Sequence, residues 1–193
     1  MSNVSCETSL AKFEEILQAW NRKIALTRDP PGSDNFASHL EQCRAIAPLL
    51  LHEGPIADVG SGSGLPIIPA LIYSGHDGTA VSLVEADKRK AAFLRAARRA
   101  TGLRFDVLGS RLEALPPLGA GQITAQAFAP LPRILALVAR HLRPDGEILA
   151  LKGPKVQEEI DAARREWDFV HEAVVGDPAA GRCVLRISSI RPR

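Results

Sequence analysis

The sequence predicts an α/β fold: a seven-stranded, mostly parallel sheet with helices on both faces, an antiparallel last strand and extra helices ahead of the sheet. Three observations carry this. Short apolar runs alternate with helix-length ones from residue 55 to residue 166, the rhythm of a parallel sheet built from strand–helix–strand units. The first run leads into DVGSGSGLP (58–66), three glycines spaced by two serines, where a strand turns into a helix. The last two runs, 169–175 and 182–190, are separated by turn residues and no helix, which makes them antiparallel neighbours.

The elements follow in chain order. Leu10, Phe13, Ile16, Leu17 and Trp20 recur at helical spacing, so residues 8–20 form an amphipathic helix. Asp29-Pro30-Pro31-Gly32-Ser33-Asp34 breaks it, and residues 35–51 read as helix again. Strands are expected at 55–59, 79–84, 103–108, 122–128 and 147–151. Helices are expected at 66–73, with Pro66 near a first-turn position that tolerates it, and at 88–100, capped by Asp87 and stopped by Gly102. Two more are expected at 130–142, closed by the turn Arg143-Pro144-Asp145-Gly146, and at 155–166. The final strands join through Gly176-Asp177-Pro178 and Gly181. Residues 1–52 then form a helical cap and residues 53–193 a core, together one domain without repeat, low-complexity tract or linker.

Composition bounds the function. Hydrophobic residues make up 46% and charged residues 24% of the chain, as in ordinary soluble globular proteins. No apolar run approaches the roughly 18 residues of a membrane span. The N-terminus lacks the basic start and apolar stretch of a secretory signal. A cytoplasmic protein without a membrane partner is expected. Cys6, Cys43 and Cys183 are far apart and show no CxxC spacing, which points to reduced thiols and no metal site. The net charge of +2 is small, but seven basic residues stand against one acid between 87 and 104. Lys88, Arg95 and Arg99 share one face of the helix there; they either neutralise RNA phosphates or form a solvated surface.

Ligands of such sheets bind outside the carboxyl ends of the strands, which puts the glycine run at the cofactor site. A dinucleotide fingerprint would need its third glycine where Leu65 stands; here the glycines are Gly60, Gly62 and Gly64. Asp58 lies two residues ahead, unfavourable for a pyrophosphate and suited to a cationic ligand. S-adenosylmethionine carries an amino group and a sulfonium and no phosphate. Its ribose can be held by an acid ending the second strand, and Glu85 stands there.

With these residues in place the chain resembles a Rossmann-like class I methyltransferase. More closely it resembles the RsmG family of ribosomal RNA small-subunit methyltransferases, also called glucose-inhibited division protein B. The likeness is carried by DVGSGSGLPIIPALI (58–72), LVEADKRKAAFLRAARRATGL (83–103) and AFAPLPRILALVARHLRPDGEILALKGP (127–154). A weaker stretch is AWNRKIALTR (19–28) with His39. The resemblance implies transfer of a methyl group from S-adenosylmethionine to N7 of a guanine in 16S ribosomal RNA, with that RNA or the 30S particle as partner. It implies that Gly60 and Leu65 line the methionine and ribose side, that Glu85, Ala86 and Asp87 lie near the ribose, and that Leu112 and Glu113 lie near the adenine. It also places Gln126 among the cofactor-binding positions, where the family usually has arginine; Ala25 stands where the family has asparagine, and Gln42 or its neighbour Glu41 where an aspartate is common after His39.

Guanine N7 offers an exposed lone pair and has no proton to lose, so its methylation needs alignment and no general base. No acid–base pair is expected among the histidines. Lys152, ending the fifth strand on the glycine edge, and His39 are the substrate-side candidates. Two other readings stay open on the residues: an RNA- or ribosome-binding relative without turnover, motivated by Ala25, Gln42 and Gln126, and a small-molecule methyltransferase on the same fold.

Overall fold

The computed structural model describes residues 3–126, 128–177 and 182–193. Its order is α1 (Asn3–Asn21), α2 (Asp34–Ile46), β1 (Ile56–Val59), α3 (Ile67–Ser74), β2 (Val81–Val84), α4 (Lys88–Thr101) and β3 (Asp106–Leu108). There follow β4 (Ala120–Gln126), α5 (Leu131–Val138), β5 (Leu142–Lys152), α6 (Val156–Ala163), β6 (Trp167–Asp177) and β7 (Arg182–Pro192). The sheet order is β3-β2-β1-β4-β5-β7-β6. Neighbours from β3 through β5 pair in parallel, and β7 is antiparallel to both β5 and β6, as the sequence predicts.

Two apolar layers hold the sheet. On one face Phe13 and Leu17 of α1, Phe36 and Ile46 of α2, Ile68 and Leu71 of α3, and Phe93 and Leu94 of α4 form one cluster. On the other, Leu131, Ile134, Leu135 and Val138 of α5 pack with Val156 and Ile160 of α6. Each such side chain stabilises the fold by about 1.5–3 kcal/mol relative to exposure. Trp20 meets Phe93 edge-on at 6.0 Å, so α1 lies directly on α4. All four residues of β1 are buried, which is why the strand that positions the glycines reads as a short apolar run with one acid in it.

Several boundaries differ from expectation for physical reasons. The first helix begins at Asn3, because Cys6 and Leu10 continue its apolar face onto the core. The second ends at Ile46 and tightens into a 3-10 turn, Ala47–Leu49, around Pro48. The fourth strand starts at Ala120 and runs to Gln126, residue 127 of the expected 122–128 lying outside the described residues, and the third holds only 106–108. The fifth helix stops at Val138 and passes through a 3-10 turn into β5. The expected turn at 143–146 does not precede β5 but lies within it. Ala120 pairs with Leu142 and Gln122 with Glu147, so four residues bulge opposite Gly121 alone. The expected joint through Pro178 and Gly181 lies outside the described residues. Among the described residues no helix is long and apolar enough to cross a membrane.

The strand order reverses between β1 and β4, and both point their carboxyl ends the same way. That switch point is where a crevice opens in sheets of this kind.

Candidate functional site

The glycine loop leaves β1 at this point. Gly60, Gly62 and Gly64 all take left-handed φ values, +70°, +48° and +74°, alternating with Ser61 and Ser63. Side-chain-bearing residues adopt that region at a cost, and at Gly60 and Gly64 the surroundings crowd one as well. A Cβ on Gly60 would lie 2.6 Å from the Phe128 ring, and one on Gly64 would lie 2.5 Å from Ile68. The loop backbone is tied to β2, with Gly60 N and Ser61 N donating to Val84 O at 2.9 and 3.1 Å.

Glu85, at the end of β2, joins the loop to the next helix. Its Oε2 accepts from Gly62 N at 2.9 Å and its Oε1 accepts from Asp87 N at 2.8 Å. Asp87 in turn caps α4, accepting from Arg89 N and Lys90 N, and these bonds hold its carboxyl below the usual range. Asp58 lies beneath the loop, 2% exposed. Thr124 Oγ1 on β4 donates to its Oδ1. Burial pushes the Asp58 carboxyl up to about 6, against the pull of hydrogen bonds from Ser61 and Thr124.

Three clefts run along this edge. The first, about 360 Å³, is lined by Gly60, Glu85, Ala86, Leu112, Glu113 and Phe128 among others. The second, about 250 Å³, is lined by Thr27, His39, Gly62, Leu65, Lys90 and Gln126 among others. The third, about 360 Å³, includes His39, Gln42, Gln126, Leu151, Gly153 and Val184. Gly60 belongs to the first and second, and His39 and Gln126 to the second and third, so the three form one groove past the glycine loop.

The expected site residues sort themselves along this groove. Gly60, Glu85, Ala86, Leu112 and Glu113 meet in the first cleft, and Gly60, Gly62, Leu65 and Gln126 in the second. Asp58, Gly64 and Asp87 line neither; they support the loop and the start of α4 from behind. Lys152 lines the third cleft but is not the exposed strand-end lysine its position suggests. Its side chain is 5% exposed, and Nζ donates to Glu159 Oε2 at 2.7 Å and to Ala129 O at 2.9 Å. The same Glu159 oxygen accepts from Leu131 N at 2.8 Å, so the lysine fastens the β4–α5 connection. His39 Nε2 meets Asp29 Oδ2 at 3.2 Å, on the wall shared by the second and third clefts. Lys88, Arg95 and Arg99 are exposed on α4 and line none of the three clefts.

Other residues of the groove carry no local signature. Asn21, at the end of α1, donates to Thr27 O at 3.0 Å and accepts from Leu26 N and Thr27 N at 2.9 Å, which folds that segment toward the loop. Phe128 covers Gly60, and Arg111 and Arg133 line the first cleft. Lys90 rather than Lys88 is the α4 lysine that reaches the second cleft. Among the described residues no cluster of three or more His, Cys, Asp or Glu side chains is placed to hold a metal ion.

Comparisons with known proteins agree with this architecture. Residues 6–180 match the family model described as rRNA small subunit methyltransferase G. A ribosomal RNA small subunit methyltransferase G from Gluconobacter oxydans is 36% identical over 193 residues, covering 99% of this chain and 98% of that protein. One from Granulibacter bethesdensis is 38% identical over 192 residues, covering 98% and 89%. Among solved structures, a magnesium protoporphyrin IX methyltransferase from Synechocystis with bound SAM superposes with a TM-score of 0.60 at 13% identity, over 91% of this chain and 96% of that one. A ribosomal protein L11 methylase from Lactobacillus delbrueckii gives 0.59 at 17% identity, over 82% of each. At those identities the structural likeness speaks for the fold.

Proposed function

The chain belongs to the rRNA small subunit methyltransferase G family, and from that premise we propose that it transfers a methyl group from S-adenosylmethionine to N7 of a guanine in 16S ribosomal RNA. The observation that carries the reading is the continuous groove around the glycine loop, with Glu85 on one side of Gly60 and His39 and Gln126 on the other.

The residues of the first cleft fit the cofactor. Glu85 is already oriented by Gly62 N and Asp87 N, and its remaining lone pairs are suited to ribose hydroxyls. Ala86, Leu112 and Leu137 offer apolar walls for an adenine. The backbone around Gly60 and Gly62 lets the methionine portion approach closely, and the Asp58 carboxyl beneath it complements a cationic ligand. S-adenosylmethionine supplies an electrophilic methyl group on its sulfonium. The protein's own task is to hold a base in line with that methyl group, since N7 carries a free lone pair and transfers no proton. The exposed Lys88, Arg95 and Arg99 are suited to RNA phosphates outside the groove.

Incubation with labelled S-adenosylmethionine and small subunits lacking the modification tests this. Label in the RNA at one guanine supports the proposal. Cofactor binding without transfer to any subunit overturns it and favours an RNA-binding protein without turnover.

A further inference from the structure

We propose that the third cleft receives the acceptor guanine, turned out of its RNA, and that Gln42 and Gln126 read the base's Watson–Crick edge. This rests on the reaction proposed above and names the side chains that would give it base specificity.

When N7 faces the methyl group, the N7 side of the guanine is committed to the reaction and cannot also be the edge that is read. What remains is N1–H and the N2 amino group as donors, with O6 as an acceptor. Enzymes that act on an extruded base read that edge. A carboxamide matches it on both counts, because its Oε1 accepts and its Nε2 donates.

Two carboxamides line this cleft and both are open. Neither Gln42 nor Gln126 has a side-chain hydrogen-bond partner among the described residues. Gln122, four residues earlier on the same strand, shows the contrast. It is fully buried, its Nε2 donates to Leu49 O and Glu147 Oε1, and its Oε1 accepts from Leu51 N. The other polar side chains of the cleft are engaged: Lys152 is paired with Glu159, and His39 Nε2 meets Asp29 Oδ2. Among the described residues no carboxylate lines the cleft. Leu151, Val175 and Val184 give it apolar walls, and its volume of about 360 Å³ lies in the usual range for small-ligand sites, roughly 300–1,000 Å³. Its position also fits. Val59 and Ala125 are opposed in the β1–β4 register, so Gln126, the next residue, stands beside Gly60 at the border of the second and third clefts.

The test uses the full chain and unmodified small subunits, with cofactor affinity measured separately by calorimetry. Gln126→Leu and Gln42→Leu are each expected to lower kcat/KM for the subunits roughly 10- to 100-fold, the usual discrimination carried by a good base contact. The dissociation constant for S-adenosylmethionine should stay within about twofold, which also shows that the variants are folded. Gly153→Val supplies a second route: a side chain there enters open space, since nothing lies within 4 Å of its Cβ position. It should block the cleft with the same signature. Wild-type transfer by both glutamine variants, or a loss that follows cofactor affinity, overturns the assignment. If the wild-type protein itself transfers nothing, the proposed reaction fails, and this inference fails with it.

Discussion

The two sides of Gly60 are built differently. On the proposed cofactor side the polar groups already orient one another: Glu85 holds Gly62 N and Asp87 N, Asp58 holds Thr124, and Asp87 caps α4. On the other side Gln42 and Gln126 hold nothing among the described residues. The first arrangement fixes a loop whose three glycines sit at positive φ, conformations that need support from outside the loop. The second leaves hydrogen-bonding capacity for an incoming group. A preorganised cleft at the glycine loop next to a cleft with unsatisfied carboxamides suits the proposed division between a small methyl donor and a large acceptor.

The largest effect that would sharpen this contrast is expected from Glu85→Ala. It removes the clamp between loop and helix together with the proposed ribose acceptor. Hydrogen bonds to charged groups contribute about 1.5–3 kcal/mol each, so affinity for S-adenosylmethionine should fall on the order of 100-fold by calorimetry. An affinity unchanged in this variant would break the division between the two sides.

Lys152→Met comes next. It leaves Glu159 and Ala129 O without their cation beneath the β4–α5 connection. Breaking a buried pair typically costs 3–5 kcal/mol. Glu159 is 24% exposed, so about 2–3 kcal/mol is expected in denaturant unfolding, with the slope unchanged. A stability within 0.5 kcal/mol of wild type would return Lys152 to the role of a free, substrate-facing cation.

A smaller effect concerns pH. The folded Asp58 carboxyl titrates near 6, above its unfolded value of 3.8, because burial disfavours the charge. Its contribution to stability is therefore full below the unfolded value and is lost as pH rises from about 4 to about 6. A cationic ligand favours the ionised form, so affinity for S-adenosylmethionine should climb several-fold as pH passes 6, and Asp58→Asn should flatten that rise. A pH-independent affinity in the wild-type protein would place Asp58 outside the ligand's field.

The smallest effects belong outside the groove. Replacing Lys88, Arg95 or Arg99 with alanine should weaken binding to small subunits only a few-fold and lower the salt slope by about 1 per residue. Cofactor affinity should not move.

The glycine-loop side of the groove, where cofactor binding is proposed, was largely legible in the sequence, because its determinants are local. Glycine spacing, an acid ending β2 and a capping aspartate lie within 58–87 and act through backbone geometry. The proposed acceptor side was less legible, because it is assembled from α2, β4, β5, β6 and β7, whose residues meet only through the sheet order. The pairing of Lys152 with Glu159 depends on how α6 returns across the sheet, and no spacing rule announces it. The bulge at 143–146 was visible as a turn by composition. Its place inside a strand follows from the pairing of β4 with β5, which a single segment does not reveal.

The most direct measurement is to map the methyl group. Unmodified small subunits are incubated with the protein and S-adenosylmethionine, and the RNA is then reduced and cleaved with aniline, which breaks the chain at N7-methylguanine. One new scission at a single guanine of 16S RNA, dependent on both protein and cofactor, is the predicted result. A methyl group on another atom or another class of molecule, or none at all while the cofactor binds, would contradict the account.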